Sequence, residues 1–261
     1  MNVDLLRQRL SGLRIGSPLY YFETVDSTNA VGIRLAQEEA AEGTLIVAES
    51  QTAGRGRFQR VWQSPSGSNL YFSVVVRPDI APAEAASLTF LSGLAAFDAL
   101  FYYCPTGGVE IKWPNDVLIN ERKVCGILTE MKTDGKRVEA VIGVGINVNI
   151  KKDDFAPEHR ERATSLAEET GGELSREDVL VEFCTQFQRW YGIFLTDGFE
   201  PIRKAWLART AMVGRQVSVK FRDDITEGLV AGIDDDGALL LVDSGKAVRR
   251  ITAGDATVLS R

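Results

Sequence analysis

Residues 109–149 read VEIKWPNDVLINERKVCGILTEMKTDGKRVEAVIGVGINVN. Three β-like runs fill this stretch: Val109 to Trp113 continuing into Val117 to Ile119, then Lys123 to Met131, then Val138 to Asn149. They are rich in Val and Ile, which suit a pleated, half-buried surface. Asn120-Glu121-Arg122 and Thr133-Asp134-Gly135-Lys136 between them carry turn chemistry. Runs joined by such short turns pair antiparallel, because parallel neighbours need a crossover of a dozen residues or more. The centre of the chain is therefore an antiparallel meander, which points to an α+β protein. Pro114 cannot donate to a ladder, so the strand must bend or lie at an edge there.

Upstream, Asp26-Ser27-Thr28-Asn29 precedes a helical pattern, Ala30 to Ala40, which Asp26, Ser27 or Thr28 could cap. Thr44 to Ala48 and Asn69 to Arg77 (NLYFSVVVR) read as strands. Pro78 and Pro82 bracket a turn, and Ala83 to Tyr103 reads as a long buried helix. Downstream, the charged residues 150–163 read as a mobile surface loop. A short helix at Thr164 to Glu169 follows. Ser175-Arg176-Glu177-Asp178 resembles a capping box before a helix from Val179 to Leu195. A further helix covers Pro201 to Thr210. Past Gly214 come five short strands, VSVKF, ITEGLVAGI, GALLLV, KAVRRI and TVLS, the size of a small barrel. The boundary falls near Ala211, giving a larger unit at 1–210 and a smaller one at 211–261.

Composition removes several function classes. The chain has 261 residues, 44% hydrophobic and 25% charged, with a formal net charge of −6. A nonspecific nucleic-acid binder needs a basic excess that is missing here. Cys104, Cys125 and Cys184 are far apart and show no CxxC spacing, and His159 is the only histidine. A zinc site and a Ser-His-Asp triad are thus disfavoured, and the thiols read as a reduced, intracellular set. The start, MNVDLLRQRLSGL, is too charged for a signal peptide, and no segment reads as a membrane span. The expectation is a cytoplasmic protein with neither membrane nor DNA among its partners.

Four segments could carry chemistry. GRGRFQRVW (54–62) sets arginines among glycines, so backbone N–H groups can approach an anion while guanidinium groups neutralise it. A solvated basic loop or a minor-groove arm fits the same residues. KWPND (112–116) either kinks a strand or points Lys112, Asn115 and Asp116 into a site. KVCGIL (123–128) opens on Lys123 and is interrupted by Gly126, which admits a ligand or a neighbouring backbone. Lys123 could equally guard a strand end, and Cys125 reads as a small packed residue. GVGINVN (143–149) lacks the GxGxxG spacing of a dinucleotide fold, and the chain has no GxxxxGK[ST] loop. Its small residues could let a purine lie against the backbone, or simply pack a core strand.

In this order the segments resemble the biotin–protein ligase family, which shows GRGRxGRxW, KWPND, K-x-x-G-I-L-x-E and G-x-G-I-N. The match runs from about Val25 to Asn149, with DSTN and Gln51 upstream of the arginine loop. Where the family has its third loop glycine, the one after GRGRx, this chain has Gln59. The resemblance implies an α+β catalytic domain with a mixed, largely antiparallel sheet, followed by a C-terminal SH3-like β-barrel. It suggests a short form without the N-terminal helix-turn-helix domain of some members.

The implied reaction has two steps. Biotin and Mg-ATP give biotinyl-5′-AMP and pyrophosphate, and a lysine of a biotin carboxyl carrier domain then takes the biotin. By resemblance, Lys123, Asp116, Arg57 and Lys112 are the catalytic candidates. Ser27, Thr28, Asn29, Gln51, Arg55, Gly56, Arg57, Lys123 and Gly126 match the biotin side. Gly54, Arg57, Arg60, Trp62, Lys112, Asn115 and Asn147 match the ATP side, and no metal ligands are assigned. Dimers through the sheet edge are common in the family, so the resemblance allows a homodimer without fixing the oligomeric state. It implies that 52–62 and 150–163 order around ligands. Lipoate–protein ligase has similar chemistry, but its RRxSGGG-type loop is missing here. A biotin- or nucleotide-sensing DNA-binding regulator and an inactive binding protein are further readings. The acidic balance speaks against the first, and the presence of Lys112, Asp116 and Lys123 against the second.

Overall fold

The computed structural model describes residues 1–133 and 138–259. Most of the turn expected at 133–136 lies outside the described residues. A seven-stranded sheet runs in the order β1-β2-β3-β7-β6-β5-β4. Its strands are β1 (Leu19–Val25), β2 (Leu45–Gln51), β3 (Leu70–Val76), β4 (Val109–Lys112), β5 (Asp116–Ile119), β6 (Arg122–Thr133) and β7 (Val138–Ile146). Strands β4 to β7 pair antiparallel in succession, as their short turns required.

Two elements were not legible in the sequence. Helix α1 (Val3–Leu10) buries Leu6 and Leu10 and is capped by the Asn2 side chain. Strand β1 runs parallel to β2, with α2 (Thr28–Gln37) as the crossover, so one end of the sheet is a βαβ unit and the whole is mixed. An edge strand such as LYYFETV has no fully buried residue, and Tyr20, Glu23 and Thr24 are exposed, so no period-2 pattern marks it.

The KWPND segment also departs from expectation. Instead of one bent strand, β4 and β5 form a hairpin, Lys112 opposite Asp116, closing over Trp113, Pro114 and Asn115. A residue without an N–H at the tip costs no ladder bond, so proline marks the reversal itself. The Asn115 side chain donates to the Ile127 carbonyl at 2.6 Å and ties the tip to β6.

Alternation along the strands sorts the two faces. Ile142, Val144 and Ile146 of β7 join the main core under α3 (Ser87–Tyr103) and α5 (Arg176–Asp197). The Ser175 side chain caps α5 as expected. On the opposite face Val141 joins Val31, Ala36, Ile46 and Val75 beneath α2. The 22-residue segment Pro82–Tyr103 is in fact long and apolar enough to cross a membrane, contrary to the sequence expectation. Most of it is buried inside the protein, where it serves as the central core helix.

After α4 (Leu166–Thr170) and α6 (Phe199–Leu207) the chain forms a five-stranded antiparallel sheet. It comprises β8 (Gln216–Phe221), β9 (Asp224–Ile233), β10 (Leu239–Val242), β11 (Val248–Ile251) and β12 (Asp255–Val258), in the order β11-β10-β9-β8-β12. Trp113 fastens this sheet to the larger one. It is almost fully buried, and its indole N–H donates to the Gly237 carbonyl at 3.0 Å. Gly237 has φ of +83°, and a Cβ there would meet the Phe90 ring at 2.5 Å.

Candidate active site

Three glycines shape a trough on the α2 face of the sheet. Gly126 of β6 pairs with Gly145 of β7, and Gly143 lies two residues along the same face. Strand glycines weaken a sheet and are found where something must approach the backbone closely. Here the indole of Trp62 occupies that space. A Cβ on Gly145 would meet Trp62 Cε2 at 2.5 Å, and one on Gly126 would meet Cζ3 at 2.8 Å. The purine suggested for this backbone therefore has no room beside it while Trp62 is in place. Lys123 Nζ sits 5.2 Å from the centre of the Trp62 ring.

Asp116 and Lys123 form an ion pair at 2.6 Å, both partly buried. The β4–β5 hairpin delivers Asp116 opposite Gly126, on the trough side, and β6 begins next to Lys123. The pair sets a cation and a carboxylate side by side at the cavity wall, each neutralising the other.

The arginine loop follows β2 over the trough. Phe58 and Gln59 are both left-handed, with φ of 54° and 60°. Gln59 thus keeps the backbone that a glycine takes at this position, at a cost of about 1–2 kcal/mol for a residue with a Cβ. Arg57 donates to the Gly254 carbonyl at 2.9 Å and faces Asp255 at 3.5 Å. Arg60 pairs with the other oxygen of Asp255. Burial pushes the Arg57 pKa down, while Asp255 and Asp116 oppose that shift. Phe58 packs near Phe221, with centroids 6.0 Å apart. Segment 150–163 meets the loop through Gln63, which donates to the Asp154 carbonyl and accepts from Ala156 N–H.

The far end rests on the start of α2. Gln51 Oε1 accepts from Thr28 N–H at 2.9 Å, and Gln51 donates to Ser64 at 3.1 Å. Asn29 donates to the Leu128 carbonyl at 3.1 Å and to Glu130 at 2.7 Å. Ser27, Thr28 and Asn29 are all buried, yet all three line the cavity.

The cavity, open to solvent on one side, measures about 1220 Å³. Every residue expected at the site borders it except Gly54, which lies beneath. A Cβ on Gly54 would strike the Trp62 carbonyl at 2.7 Å, so that glycine packs the loop instead of touching a ligand. Two amides are already committed. Asn147 donates to the Thr164 carbonyl at 3.0 Å and the Lys123 carbonyl at 3.5 Å, which uses both its hydrogens, while Asn115 donates one to Ile127. Gly56 borders the cavity with no close neighbour that excludes a side chain. Sequence reading missed Asp255, Glu130 and Ser73. Glu130 stands in a quoted motif, but its role needs the partner Asn29 from 101 residues away. Ser73 and Asp255 carry no local signature at all.

The chain matches the model of the biotin/lipoate A/B protein ligase family over residues 21–147. Residues 213–258 match that of the biotin protein ligase C-terminal domain. It is 40% identical over 229 residues to the biotin–[acetyl-CoA-carboxylase] ligase of Paracoccus denitrificans, covering 87% of this chain and 94% of that one. The bifunctional ligase/repressor BirA of Bacillus subtilis is 38% identical over 244 residues, 92% of this chain and 74% of BirA. Among solved structures, the biotin protein ligase of Aquifex aeolicus in complex with biotin and ATP superposes with a TM-score of 0.79. It is 29% identical and covers 94% of this chain and all of that one. With its glycine trough, its Lys123–Asp116 pair and these relatives, the chain belongs to the biotin–protein ligase family.

Proposed function

We propose that the chain joins biotin to ATP, forming biotinyl-5′-AMP, and passes the biotin to a lysine of a biotin carboxyl carrier domain. The observation that carries this reading is the trough. A buried polar end at Thr28 and Asn29, an apolar middle on Trp62, and a cationic end at Arg57, Arg60, Lys112 and Lys123 share one cavity. Biotin has the same order of parts: a polar ureido ring, an apolar tail and a carboxylate.

In the first step a biotin carboxylate oxygen attacks the α-phosphorus, and pyrophosphate leaves. Negative charge gathers on the phosphoryl oxygens, where Arg57, Arg60, Lys112 and Lys123 can meet it. Removing one such fixed donor typically costs about 10²–10³ in rate. Among the described residues no cluster of His, Cys, Asp or Glu is arranged to hold a metal. A magnesium ion arriving with ATP would offset the charge of the triphosphate oxygens.

In the second step the lysine amine attacks the acyl carbon, AMP departs and the amine loses a proton. At pH 7 only about one unperturbed lysine in 2,500 is a free amine. Once Lys123 turns to the phosphate, Asp116 is released to orient the incoming ammonium. A carboxylate favours the charged amine, so Asp116 orients first and accepts the proton second. Segments 54–62 and 150–163, joined through Gln63, would shield the acyl-adenylate from water.

The test is covalent. With biotin, ATP and a purified carrier domain, mass spectrometry should show one biotinyl group on the acceptor lysine. A carrier with that lysine changed to arginine should stay unmodified. Failure to modify the intact carrier would contradict the reading.

A further inference from the structure

Glu130 closes the KVCGILTE stretch, yet it does not border the cavity. It accepts from Asn29 Nδ2 at 2.7 Å and pairs with Arg55 at 3.9 Å. A carboxylate held against an arginine only accepts. With the Leu128 carbonyl it draws both Asn29 amide hydrogens toward β6. The Asn29 amide oxygen then faces Ser73 Oγ at 2.7 Å. An amide oxygen cannot donate, so the single hydroxyl proton of the fully buried Ser73 belongs to Asn29. Ser73 Oγ also lies 2.8 Å from Thr28 Oγ1, which in turn lies 3.3 Å from Gln51 Oε1. Thr28 gives its proton to one of these two oxygens. Either way both of its lone pairs remain to accept from a ligand in the cavity.

We propose that Glu130 is a positioning residue that sets the hydrogen-bond polarity of the ring end. Acting through Asn29 and Ser73, it makes Thr28 an acceptor, so the site selects a ring that donates N–H. A cyclic urea does so, whereas a dithiolane has no N–H to offer. The proposal rests on the biotin-ligase reading and assigns its selectivity to a residue that touches no ligand. Sites built around a buried polar partner reject analogues that leave that partner unpaired.

The experiment compares biotin with biotin methylated on one ureido nitrogen, using substrate-dependent pyrophosphate exchange and calorimetric binding. Glu130→Ala should raise the KM for biotin about tenfold, the scale of one lost buried hydrogen bond. It should shrink the biotin preference over the methylated analogue by a similar factor and leave kcat nearly unchanged. Glu130→Gln still accepts from Asn29 and should restore most of the preference. Should Glu130→Ala fail to fold, Ser73→Ala cuts the same relay and takes the same ratio test. Normal wild-type exchange with an unchanged ratio in these variants would overturn the inference alone. Absence of biotin-dependent exchange in the wild type would overturn the function and the inference with it.

Discussion

At the ring end of the cavity, Thr28, Asn29 and Ser73 are 4%, 3% and 0% exposed and bonded to one another within one sheet and its crossover helix. At the other end, Arg57 and Arg60 sit on a loop with two left-handed residues and reach across to Asp255 of the C-terminal sheet. The hydrogen bonds among Thr28, Asn29 and Ser73 stay within the larger sheet and α2 and involve no residue of the second sheet. The second end depends on it. A rigid ring site suits recognition of one small molecule, and a loop clamped by another unit suits a lid that must admit and release phosphates.

The largest expected effect strikes the sheet that carries the rigid end. Gly145→Val places methyl groups where the Trp62 ring lies, and misplacing that floor by an ångström should cost about 10²-fold in kcat/KM. Exchange assays would show it, with the melting temperature reporting whether the sheet survives. Full activity in this variant would mean that Trp62 is not part of the floor.

Next comes a test of how deeply that end is rooted. Glu49 of β2 is buried, which alone would raise its pKa. Hydrogen bonds from Arg176, the N-terminal ammonium and Tyr21 outweigh burial and hold the carboxyl at about 2, below its usual 4.5. A lowered folded pKa contributes stability above pH 4.5, and that contribution is lost as pH falls toward 2. Denaturant titrations should show about 2–3 kcal/mol disappearing across that window. Glu49→Gln should remove this acid-dependent part.

A smaller effect tests the clamp. Asp255→Asn keeps a Gly254 carbonyl for Arg57 but loses the charge that pins both arginines. Removing a charge-assisted partner of this kind should cost about tenfold in exchange, with biotin binding reduced by much less. Glu at 255 should recover part of the loss. An equal loss of biotin binding would mean that the two ends are not separately supported. The smallest effect sharpens the picture of the lid. Gln59→Gly relieves a left-handed residue, so stability should stay level or rise by up to about 1 kcal/mol. A clear fall in the melting temperature would show that the Gln59 side chain holds the loop.

Much of the meander could be read from its turn chemistry. The cavity lining at Thr28, Lys112, Asp116 and Lys123 came instead through the resemblance of ordered motifs to the ligase family, each motif alone admitting a structural reading. The hairpin reversal at Pro114 could not be read, since a proline in a run of β-formers signals a bend as readily as a turn. Strand β1 stayed hidden because its pattern is that of a half-exposed edge. Asp255 was illegible for another reason. It lies some 195 residues from the arginine it pairs with, and nothing near it marks a site. The commitment of Asn115 and Asn147 to backbone carbonyls likewise appears only once strand register is known.

The most direct measurement is pyrophosphate exchange into ATP with the purified chain, run without acid, with biotin and with lipoate. Exchange that depends on biotin and is not supported by lipoate is the expected result. Exchange absent with biotin, or driven equally by lipoate, would contradict the assignment of this cavity to biotin activation.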